Sequence, residues 1–222
     1  MCFSAAASFG AGAILTTTGI ISLRINKRKE STMFSAIPLL FGLQQFSEGF
    51  VWLALTGHPA GFGAEPPGLI FLLFAQVIWP LWVPWSVVRM ERDSGYQTLL
   101  RILTGLGFAV SAFLLIGMLF FFEPVAVISG NHIRYDFQSF VHTSKYTGFL
   151  YVLPTVLPPF LSAAKRCRVL GWANLASFFI TKFFFTEHII SVWCYFAAIM
   201  SASVVWIVSQ PHPADANAGH MQ

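Results

Sequence analysis

Apolar residues along this chain do not recur with the 3.6-residue period of a surface helix. They run on in blocks of roughly twenty, separated by short polar connections. A bilayer core takes about 20 apolar residues in a helix, with roughly 17 to 25 usual. Seven blocks meet that length: Ser4–Leu23, Met33–Leu55, Gly68–Val88, Thr98–Phe121, Tyr146–Ser162, Val169–Phe185 and Ile189–Val208. The fifth carries Pro154, Pro158 and Pro159. Proline is accepted in membrane helices where neighbours satisfy the freed carbonyls, so this block is expected to be a kinked span.

The connections differ from one another. Between the fourth and fifth blocks, VAVIS and HIRYDF are two β-prone runs flanking Gly130–Asn131. A two-residue Gly/Asn turn between such runs predicts a small external β-hairpin. The expected fold class is therefore all-α: a seven-transmembrane-helix bundle over residues 1–210 with a hairpin between helices 4 and 5. The polar segment 211–222, PHPADANAGHMQ, is expected to be a disordered cytoplasmic tail. The first block has no basic n-region; Arg24, Lys27, Arg28 and Lys29 follow it, so it reads as a retained span and not as a secretory signal.

Composition agrees with this pattern. The chain of 222 residues is 56% hydrophobic and 10% charged, with mean hydropathy +0.68. A soluble domain carries about a quarter charged residues. The formal charge of +4 does not point to nucleic acid, because no segment interleaves basic and aromatic residues. The basic residues report topology instead. Arg24, Lys27, Arg28, Lys29, Arg89, Arg92, Arg101, Lys165, Arg166 and Arg168 lie on one side of the bundle; Arg134, Lys145 and Lys182 lie on the other. The positive-inside rule then puts the N-terminus outside and the C-terminus in the cytoplasm.

Against this background FGLQQFSEGFVWLAL, residues 41–55, stands out for Gln44, Gln45 and Glu48. At 100° per residue Gln44 and Glu48 lie within about 40° of each other, Gln45 lies about 60° to the other side, and Trp52 continues the stripe. Such a face must look into the bundle or a watery cavity, and an ionisable residue inside a span is costly and usually functional. The alternative is a protonated Glu48 acting as structural glue. His132, His142, His188 and His58 fall on the same outer side. Imidazole with carboxylate suits zinc or another transition metal, so Glu48, His132, His142 and His188 form a candidate ligand set. Proton relay is the rival chemistry, and no HxxxH, HExxH or CxxC pattern supports the metal. Cys2 and Cys194 are candidates for a disulfide or thiol ligation, against inert packing. Trp79, Trp82 and Trp85 read as an aromatic belt.

MCFSAAASF, QQFSEGFVW, GNHIRY and ISVWCYFAA together resemble a family of bacterial multi-pass membrane proteins that begin with an MCxSAxAS-like motif and have no assigned activity. The resemblance marks Cys2, Ser4, Gln45, Glu48, Trp52, His132, Tyr135, Ser191, Trp193 and Cys194. A looser, architectural likeness joins the seven spans and outer histidines to alkaline-ceramidase and adiponectin-receptor-like hydrolases, which carry an HxxxH pair on the last span where this chain has only His188.

Three functions are open at this point. One is an outward-facing pocket, with Gln44, Gln45, Glu48, Trp52, His132, Tyr135, Ser191 and Trp193 as ligand-binding residues, that takes a small molecule, ion or lipid in a sensor, carrier or accessory role. The second is a metal-dependent hydrolase acting on an outer-leaflet lipid. The third is a structural partner of a membrane complex. Expected partners are membrane lipids, and a second copy or another membrane protein.

Overall fold

The computed structural model describes residues 4–57, 63–91, 95–121, 124–137 and 145–209. It is mostly helical, with ten α-helices among the described residues and one two-stranded sheet. Helix α1 spans Ala5–Ile25. After a short turn, α2 (Thr32–Ser35) and α3 (Ile37–Leu55) follow. The next long helix is built from α4 (Glu65–Leu72), a π-helical turn at Leu73–Ile78, and α5 (Trp79–Met90). Then come α6 (Gln97–Phe120), the hairpin strands β1 (Pro124–Ser129) and β2 (His132–Phe137), α7 (Lys145–Val156) and α8 (Lys165–Phe184). The chain closes with α9 (Ile189–Ser201) and α10 (Ser203–Val208). These group into seven helical segments that coincide with the seven apolar blocks. Four of them are long and apolar enough to cross a membrane: Ala5–Ile25, Glu65–Met90, Gln97–Phe120 and Thr186–Val208.

Helix α1 starts where the Ser4 hydroxyl accepts the Ala7 N–H at 3.2 Å, satisfying one of the free donors of the first turn. Its buried residues are Ser8, Gly12, Leu15, Gly19 and Ser22. That alternation of four and three is the seam of a helix packed along another, and the partner is α3. A Cβ on Gly19 would lie 2.4 Å from the Leu39 nitrogen, and one on Gly42 would lie 2.4 Å from Thr16 Oγ1. In lipid, where apolar burial gains nothing between helices, such close approach supplies the attraction. The sequence offers two small-residue pairs on α1; Ser8/Gly12 faces the partner, whereas Ala6 and Gly10 face outward.

The π-helical turn precedes Pro80. Extra backbone carbonyls in that region are taken up from other helices: Ser111 Oγ donates to the Val77 carbonyl at 2.6 Å, and the Tyr151 hydroxyl donates to that of Ala75. Further on, Pro84 has no N–H to offer the Pro80 carbonyl. That oxygen turns toward Gly107 of α6, where a Cβ would come within 1.9 Å of it. Glycine at that point is what lets α5 and α6 cross.

The hairpin pairs Ser129 with His132 and Pro124 with Phe137 in antiparallel register. Gly130 has φ +61°, and positive φ at only the first turn residue is the pattern of a II′ turn, which matches strand twist. Period-two alternation sends Ile133 and Tyr135 inward, both buried, while Arg134 and Asp136 stay on the other face. Tyr135 stacks on Phe71 at 4.9 Å. The hairpin thus inserts into the end of the bundle formed by α3, α4 and α9.

Two apolar cores result. One holds Leu15, Phe34, Phe41, Trp79, Val87, Leu100 and Cys167; the other holds Val51, Trp52, Phe71, Leu72, Ile133, Tyr135 and Cys194. Along α3 they are separated by Gln44, Gln45 and Glu48.

Candidate functional site

On α3, Gln44, Gln45 and Glu48 are all fully buried. Glu48 reaches α9, where Ser191 Oγ donates to its Oε1 at 2.6 Å. Gln45 Nε2 makes a long 3.5 Å contact to the other carboxylate oxygen, one turn away. Gln44 turns toward α5, its Oε1 accepting the Trp79 indole N–H at 2.7 Å. The Cys194 thiol lies alongside Gln44 and Glu48. Burying an ionisable group is tolerable only with hydrogen-bonding partners, and α9 and α3 itself provide them for Glu48 while α5 serves Gln44.

The layer is short of partners elsewhere. Gln44 Nε2, Gln45 Oε1 and Trp52 Nε1 are buried with no hydrogen-bond partner among the described residues. A neutral group left so costs about 1–3 kcal/mol. Trp52 and Tyr135 belong to one apolar cluster, so the hairpin roofs the layer. Beside that roof is a partly open cavity, lined by Glu65, Gly68 and Leu72 of α4, by Pro124–Ala126, and by Tyr135.

The histidines form a separate feature at the junction of β2 and α9. His132 and His188 face each other with ring centres 5.0 Å apart, and Phe185 meets the His132 ring edge-on. Burial first, then the charge of His188, holds His132 below its ordinary 6.5. Next to it Arg134 pairs with Asp136 at 2.8 Å and with Glu187 at 3.7 Å. The hydrogen bond that Arg134 donates to the Asp136 carboxylate raises the Arg134 value further. Among the described residues no three His, Cys, Asp or Glu side chains are grouped to hold a metal ion. His142 and His58 lie outside the described residues, as does Cys2; Cys194 and Cys167 are buried free thiols.

Sequence reasoning passed over two participants. Trp79, read as part of an interfacial belt, is buried and serves Gln44; Trp82 also donates inward, to the Met33 carbonyl at 3.0 Å, and only Trp85 is exposed. A signal existed in the need of a buried Gln44 for a donor, but nothing in the chain says which helix supplies it. The second is Glu91, a buried carboxylate at the far end of the bundle. It accepts the Ser162 hydroxyl and, at 3.1 Å, the Ala163 N–H, and so ties the end of α5 to the start of α8.

Fold and site together define a helical protein with four helices long and apolar enough to cross a membrane, a hairpin set into one end and a buried polar layer beneath it. The chain belongs to DUF6629, a family of unknown function, which it matches over residues 1–218. No curated protein and no solved structure matches it.

Proposed function

We propose that this is a seven-span integral membrane protein of a bacterial inner membrane, N-terminus outside, with an outward-facing binding site based on the Glu48 layer. Ten cationic residues against three in alternate connections support that orientation. The observation that carries the site is the Ser191–Glu48 hydrogen bond of 2.6 Å, surrounded by the unpartnered Gln44 Nε2, Gln45 Oε1 and Trp52 Nε1. Two vacant donors and one vacant acceptor around a carboxylate suit a small polar molecule that both accepts and donates. The cavity beside Tyr135 is its approach, and the hairpin is the cover that must shift to admit it. The role is that of a sensor, carrier or accessory protein.

The test is untargeted mass spectrometry of small molecules released from purified wild type, Glu48→Gln and Trp52→Phe. A polar species retained by the wild type and depleted in both variants supports the reading. Identical profiles from folded proteins sink it.

A further inference from the structure

Away from the hairpin, on the other side of the Gln44–Trp79 pair, helices α3, α5, α7, α8 and α9 leave an open-sided cleft. Its walls are apolar and aromatic, with Phe34, Phe41, Trp79, Trp193 and Met200 among them, and among the described residues the lining holds no Asp, Glu, Lys, Arg or His. A charged ligand would be stripped of water there with no counter-charge in exchange.

Most polar atoms of the lining are already committed. The Tyr151 hydroxyl donates to the Ala75 carbonyl, Thr155 Oγ1 to that of Tyr151 at 2.8 Å, and Ser201 Oγ to that of Ala198 at 2.6 Å. Two are not. Asn174 Nδ2 reaches the Thr155 carbonyl at 3.5 Å, but its Oδ1 accepts nothing from the described residues. Trp193, nine-tenths buried, has an indole N–H that donates to nothing among the described residues. The two belong to one neighbourhood, since Phe178, one turn from Asn174 on α8, meets the Trp193 ring at 5.1 Å. The broad terminal torsion of an asparagine lets Oδ1 turn into the cleft at little cost. A vacant acceptor and a vacant donor lining one cleft are the complement of a hydroxyl, which gives one hydrogen bond and takes another.

We propose that this cleft binds an uncharged lipid alcohol, an apolar body with one hydroxyl, whose hydroxyl bridges Asn174 Oδ1 and Trp193 Nε1. A plain hydrocarbon chain would fill the space and leave both polar atoms orphaned. A carboxylate would bring a charge the lining cannot answer. The site borders the Glu48 layer at Trp79 and Cys194 but includes none of Gln44, Gln45 and Glu48, and it does not depend on that layer's occupant.

The probe is a diazirine-bearing hexadecanol, photoactivated with the full-length protein in phosphatidylcholine vesicles. Saturable labelling that maps to α8 and α9 cleft residues is expected. Unlabelled hexadecanol should compete about twofold to tenfold better than its methyl ether, the ratio one hydrogen bond supplies, and palmitate should compete no better than the ether. Asn174→Leu should reduce the alcohol to the level of the ether, and Ala197→Phe, which fills the cleft from α9, should abolish labelling. Non-saturable labelling, labelling outside the cleft, or equal competition by alcohol and ether overturns the proposal as ordinary lipid contact. The wild-type competition decides the matter if either variant fails to fold.

Discussion

Glu48 illustrates what a single residue discloses. Its position in an apolar run marks it as buried and partnered, because no span leaves a carboxylate to lipid. Which hydroxyl it meets is not visible in the run, since Ser191 lies 143 residues away. Ser191→Ala removes that donor and is expected to lower stability by about 1–3 kcal/mol, read as a drop in unfolding midpoint in detergent; an unchanged midpoint would mean the bond contributes nothing. Glu91 shows the opposite case. Beside Arg89 and Arg92 it looks like one of a solvated charge run, and only the fold brings the start of α8 onto it. His132 carries a pH dependence. Its folded value lies below 6.5, so the unfolded state binds more protons in that window and stability is lost as pH falls below 6.5. The groups around it are His188, Arg134, Asp136 and Glu187. Amide exchange in β2 should rise on acidification, and His132→Phe should flatten that response.

At the scale of elements, the hairpin was legible in full, from two β-prone runs and a Gly–Asn turn, because the information is local. The kink in the fifth block was legible for the same reason: helix α7 stops at Val156 and one 3₁₀ turn, Pro158–Leu161, follows. The π-helical turn was not, as its freed carbonyls are accounted for only by Ser111 and Tyr151 on other helices. The α5–α6 crossing likewise depends on a pair of positions in two helices. Gly107→Ala forces a methyl against the Pro80 carbonyl, a backbone atom that cannot swing aside, and overpacking of this kind costs about 1–3 kcal/mol. The loss is expected as a lower thermal midpoint, whereas Gly105→Ala, where a Cβ meets nothing within 4 Å, should be silent.

For the whole molecule, the decisive expectation is direction in the membrane. In a Cys2→Ser background, a membrane-impermeant maleimide added to intact cells should label Val125→Cys on the hairpin and spare Lys165→Cys at the start of α8 until the membrane is permeabilised. The reverse pattern would invert the proposed orientation. The sequence by itself determined where helices run, where the hairpin turns and that Glu48 must be sheltered, because hydropathy, turn chemistry and the cost of burying charge act over a few residues. Only the tertiary structure decided that Gln44 takes its donor from Trp79, that Ser191 faces Glu48, that Tyr135 caps the layer, and that Asn174 and Trp193 share a cleft. Those pairings join positions far apart in the chain, and they are set by how closely glycines and prolines let particular helices approach.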